Sequence, residues 1–216
     1  MGRTSGHKWV GAVVAVGLLW ATCAAAAEPR VLFLRGWFGV FSTGLDGIAD
    51  DLKAKGIKAE VAGHLYWQTG LAEILKARAA GKAGPIILVG HSQGANNAID
   101  IARGLEAQNI PVDLVVTLAP FMQYPVPANV KQAVNYYQQG GWGAPLEGAP
   151  GFHGKILNVN VGDDPSVSHI NIDKSARVHA DIVRMVTSLV KPHEASNGAH
   201  SATGMAYSQT QDEKSQ

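Results

Sequence analysis

The segment Pro85-Ile86-Ile87-Leu88-Val89-Gly90-His91-Ser92-Gln93-Gly94 constrains this chain more than any other. Ile86 to Val89 is a short, continuous apolar run bounded by turn residues. Such a run suits a strand covered on both faces, which is characteristic of parallel sheets. A helix is expected from about Gln93, because Ala95, Ile99, Ala102 and Leu105 then share one side.

The rest of the chain repeats that alternation. Strands are predicted at residues 30–35, 57–61, 86–89, 114–118 and 156–161. Between the first two, Leu45, Ile48, Ala49 and Leu52 fall at helical spacing, with Ser42 as a plausible N-cap and Gly56 as a stop. Another helix is expected over 69–80 and a closing amphipathic one over 174–190. Strand and helix in alternation imply right-handed βαβ units. The expected fold is therefore α/β, in three layers, with a mostly parallel sheet of about five strands.

The ends of the chain read differently. Arg3 and Lys8 precede a short apolar run from Trp9 to Trp20, and Ala21 to Ala27 follow as small residues. Residues 1–27 therefore read as a secretory signal peptide, cleaved near Ala25 to Ala27. The alternative, a membrane anchor, would need ~20 apolar residues to span the bilayer. Export to the periplasm or medium is expected, with no stable membrane span after cleavage. The domain would occupy 28–193, and the polar stretch 194–216 reads as a disordered tail. Cleavage would also remove Cys23, the single cysteine, leaving neither disulfide nor thiolate metal site. A formal net charge of +1 with no basic cluster argues against nucleic acid as a partner. The 216-residue length suits one domain.

Gly90-His91-Ser92-Gln93-Gly94 also matches G-x-S-x-G, directly after a buried strand and at the start of a helix. In that context Ser92 is a candidate nucleophile, held on a tight turn with Gly90 and Gly94 where a Cβ would strike neighbouring backbone. The other reading is a glycine-rich βα turn of another doubly wound fold. His169, after the last strand and before the closing helix, is the candidate base. The acid is expected in the pair Asp163 and Asp164, with Asp164 preferred; Glu147 and Asp173 are the reserves. An oxyanion hole would use the N–H of Gln93 and one from the loop after the first strand, at Trp37 or Phe38, with Trp37 preferred. Residues 140–155, rich in Gly and Pro around Trp142 and Phe152, read as a surface loop in preference to a lid.

These residues resemble the α/β-hydrolase superfamily, in particular its small lipase, thioesterase and cutinase-like members. The likeness covers roughly residues 30–190, with Gly90 to Gly94 as its specific part. Residues 126–137 also look like a recurring feature of bacterial lipase-like proteins, one without an assigned mechanism. The resemblance implies cleavage of a small or lipid-like carboxylic ester or thioester through Ser92, His169 and an aspartate. It implies an acyl-enzyme and needs neither metal nor organic cofactor. Two alternatives share the fold: an acyltransferase with a different acceptor, and a non-catalytic binding protein of the cell envelope.

Overall fold

The computed structural model describes residues 27–37 and 39–191. The expected signal segment, Phe38 and the expected tail lie outside these, apart from Ala27. Six strands form one sheet in the order β2-β1-β3-β4-β5-β6: β1 (Glu28–Arg35), β2 (Ala59–Gly63), β3 (Ala83–His91), β4 (Leu114–Leu118), β5 (Gln132–Tyr137) and β6 (Lys155–Asn160). Every neighbouring pair is parallel. The long helices are α1 (Gly44–Ala54), α2 (Trp67–Ala79), α3 (Gln93–Glu106) and α4 (Ala176–Val190).

The continuous apolar runs fill both faces of the sheet. Phe33, Val89 and Val116 point to one side and pack with Leu45, Ile48 and Leu52 of α1 and Val178, Ile182 and Val186 of α4. Leu34, Leu88 and Val115 point to the other, against Ile74 of α2 and Ile99, Ala102 and Leu105 of α3. This alternation along each strand, with helices on both sides, gives the three layers. No helix among the described residues is long and apolar enough to cross a membrane.

The sheet has six strands where about five were expected, and β5 is the addition. Its sequence, QAVNYY, interrupts the apolar pattern with Asn135, which is fully buried. That amide is satisfied on every side: it accepts from Thr117 Oγ1 at 2.9 Å and donates to Ala144 O and Asn158 Oδ1 at 2.8 and 2.9 Å. The second strand runs two residues later than expected, and the closing helix starts at Ala176. Ser42 does not cap α1. Asp173, fully buried, caps it from across the chain, accepting the Gly44 N–H at 2.7 Å through Oδ2.

Candidate active site

The carboxyl ends of the parallel strands collect the loops on which a site can be built. Ser92 follows β3 there and begins α3. Its backbone has φ 56° and ψ −122°, a left-handed conformation that non-glycine residues rarely hold. The turn is tied to the next strand by the Ser92 N–H, which donates to Leu118 O at 2.9 Å. The flanking glycines are required sterically. A Cβ on Gly90 would lie 2.2 Å from Gly94 O, and one on Gly94 would lie 2.1 Å from Leu34 O.

His169 lies 77 residues beyond Ser92, and its Nε2 is 3.0 Å from Ser92 Oγ. That is a proton-transfer distance. Burial, and to a lesser extent the neighbouring His91 ring, hold the His169 imidazole down to about 4, so it is neutral at ordinary pH. Its Nδ1 is buried and has no hydrogen-bond partner among the described residues.

No hydrogen bond joins Asp163 or Asp164 to His169. Asp164 is exposed, and its Oδ1 accepts from Ser166 N and Ser166 Oγ at 2.9 and 2.6 Å, contacts that lower its pKa. The short chain between the aspartates and the histidine is consumed by this turn, which keeps the carboxylate on the solvent side. Asp163 is exposed too, without a side-chain hydrogen bond among the described residues. Glu147 is also exposed. Asp173 is buried but is occupied at the start of α1. The structure thus brings Ser92 and His169 together and leaves the expected acid pair outside.

Instead, a second histidine braces His169. His91, 2% exposed, places Nε2 2.7 Å from His169 O, and a carbonyl can only accept, so Nε2 carries the proton. Its Nδ1 then accepts from Ser42 Oγ at 2.8 Å, and Ser42 Oγ accepts the Gly36 N–H at 3.0 Å. Burial lowers the His91 pKa, which keeps this neutral arrangement in place. One chain of hydrogen bonds therefore links the loop after β1, the turn after β3 and the loop that carries His169.

A fully parallel sheet with helices on both faces, and a left-handed serine between its third strand and the following helix, settle the architecture. The fold is α/β-hydrolase-like. No known family model matches the chain, and no curated protein matches its sequence. Among solved structures it is similar to a crystal structure from Xanthomonas campestris pv. campestris, a provisionally assigned hydrolase of the α/β superfamily. The two are 18% identical, with a TM-score of 0.38, over 72% of this chain and 98% of that one.

In this hydrolase-like fold the loop after β1 presses on the serine. A Cβ on Gly36 would sit 2.9 Å from Ser92 Cβ, so only glycine lets the backbone come so close. Its own N–H is taken by Ser42. The N–H groups of Trp37 and Gln93 have no acceptor among the described residues. Phe38, the other candidate, lies outside them.

The cleft beside Ser92 holds about 200 Å³ and is lined by Trp37, Phe41, Phe121, Trp142 and Ile170 with the two histidines and two serines. No Asp, Glu, Lys or Arg lines it. Trp37 and Phe121 have ring centroids 4.8 Å apart, Phe121 stacks on Trp142 at 6.1 Å, and Trp142 stacks on the His169 ring at 4.3 Å. The residue after Phe121 is held by Asn96, whose amide bonds the Met122 backbone in both directions at 2.7 and 2.9 Å. The 140–155 segment carries Trp142 into the site and is fastened behind it, by Asn135 to Ala144 O and by Asn158 to both backbone groups of Leu146. Sequence reasoning missed the Ser42–His91 brace and the role of Phe121. His91 occupies a variable position of the motif, and the aromatics come from separate loops, so neither had a local signal. Among the described residues no group of three His, Cys, Asp or Glu is placed to hold a metal.

Proposed function

We propose that the protein is a serine hydrolase that cleaves carboxylic ester or thioester bonds through a Ser92–His169 pair and an acyl-enzyme. The observation that carries this reading is the 3.0 Å approach of His169 Nε2 to the oxygen of a serine held at φ 56°. Ser92 Oγ attacks the carbonyl carbon while its proton passes to Nε2. The tetrahedral oxyanion sits against the N–H groups of Gln93 and Trp37. Collapse expels the alcohol or thiol, which leaves with the Nε2 proton. Water repeats the sequence, releasing the acid and restoring Ser92.

The lining supports an uncharged, apolar acyl group. The volume, below the ~300–1,000 Å³ of drug-sized pockets, supports a short one. The signal-like segment at residues 1–27 adds export to the periplasm or medium. The unpartnered Nδ1 of His169 is the observation that favours the second reading, a catalytically silent binding protein with the same cleft. A fluorophosphonate probe separates the two. Labelling of the wild type, abolished in Ser92→Ala and His169→Gln, supports the hydrolase; an unlabelled wild type, with turnover of no short p-nitrophenyl ester, leaves the binding protein.

A further inference from the structure

When His169 accepts the Ser92 proton at Nε2, it must already carry a hydrogen on Nδ1. The resulting imidazolium has no carboxylate to face, because that Nδ1 is buried without a hydrogen-bond partner among the described residues. It does face an indole. The Trp142 and His169 rings are stacked, with centroids 4.3 Å apart and planes inclined by 30°. We propose that Trp142 stabilises the His169 imidazolium through its π face, taking over the charge-stabilising part of the role that an aspartate plays in a Ser-His-Asp triad.

The geometry falls well inside the ~6 Å over which a cation and an aromatic face attract, and Trp is the strongest of the aromatic partners. The backbone that carries the indole is held in place. The Trp142 carbonyl accepts from Gln138 N at 3.1 Å, and Asn135 holds the next loop carbonyl but one, Ala144 O, at 2.8 Å. Burial disfavours charge on the His91 ring, 5.2 Å from His169, so the opposing charge it offers is the smaller influence on His169. Stacking also supplies what a carboxylate normally does by direction: with its carbonyl held by His91 and its face held by Trp142, the His169 ring is oriented at two points.

The proposal rests on His169 being the base, so its test separates the two ideas. The His169 ring is followed by NMR titration in the wild type, Trp142→Phe and Trp142→Leu, its signal being the one lost in His169→Gln. Trp142→Leu should lower the His169 pKa by about one unit, a tenfold loss for the cationic form, and Trp142→Phe should restore part of it. The sign is diagnostic. Removing the indole also admits water, which alone would raise the pKa. A rise, or no change, overturns the proposal. In kinetics with a short p-nitrophenyl ester, Trp142→Leu should cut kcat about tenfold with little change in KM. A rise in KM at constant kcat would make Trp142 only a wall of the cleft, and would overturn the proposal too. Failure of the wild type to label at Ser92 overturns the nucleophile reading and the catalytic role with it, whatever the titration shows.

Discussion

His91 Nε2 donates to the backbone carbonyl of His169 across 2.7 Å, so one histidine positions another through its main chain, not its ring. His91→Ala would leave that carbonyl and the Ser42 hydroxyl without their partner in a buried place. Each such loss costs about 1–3 kcal/mol. We expect a lower Tm and a fall in kcat that exceeds any change in KM. His91→Gln, which can still donate to the carbonyl, should recover part of both. Thermal unfolding and steady-state kinetics of the two variants check this; equal turnover in His91→Ala and the wild type would remove His91 from the machinery.

Ser92 pays a conformational cost for the turn that brings its hydroxyl to His169. A left-handed non-glycine residue costs about 1–3 kcal/mol. Ser92→Gly should therefore be more stable than the wild type, by about 1 kcal/mol after glycine's own entropy loss. Ser92→Ala keeps the strain and should gain little. Both should lose turnover by about 10⁶. Urea unfolding of the three proteins reads the stability order directly.

Asp163→Asn and Asp164→Asn should each retain near wild-type kcat. Loss of an orienting acid costs ~10⁴, whereas Asp164 here only closes a turn with Ser166. A large loss in either variant would mean that the loop rearranges to bring the carboxylate to His169.

Acid should act on turnover and stability in the same direction. With the His169 imidazole held down to about 4, the base form persists to that pH, and kcat should rise through about 4 and then level off. For stability, the unfolded chain takes up the proton near 6.5 while the folded chain does not. Between these values the unfolded state binds more protons, so stability falls as pH drops from about 6.5 to about 4. His91, also lowered by burial, adds to the same trend. A pH–rate profile with its acid limb near 7 would show that another group supports the imidazolium.

Much of this architecture was legible because its strands are apolar on both faces. Ile86 to Val89 reads as a buried strand whatever surrounds it, and Ser92 inherits its place from that strand. The approach of His169 to Ser92 was legible by position, since it is the histidine between the last strand and the closing helix. What was illegible depends on partners distant in sequence. Asn135 looks like a break until Thr117, Ala144 and Asn158 satisfy it. Ser42 looks like a helix cap until Gly36 and His91 claim its hydroxyl. The acid was sought at Asp164 because a strand end preceded it, but a strand end does not determine the turn that follows.

The clasp between Asp173 and Gly44 joins residues 129 positions apart. It fastens the segment just past His169 to the helix that follows the loop pressed on Ser92. No stretch of chain that stops short of Asp173 can make that join, and none that stops short of His169 can pair that histidine with Ser92. On the proposed mechanism a truncated chain that ends before His169 carries its serine with nothing to take the proton, and one that ends before Asp173 lacks the join that ties that loop to α1, so activity would report that the chain is complete through this clasp.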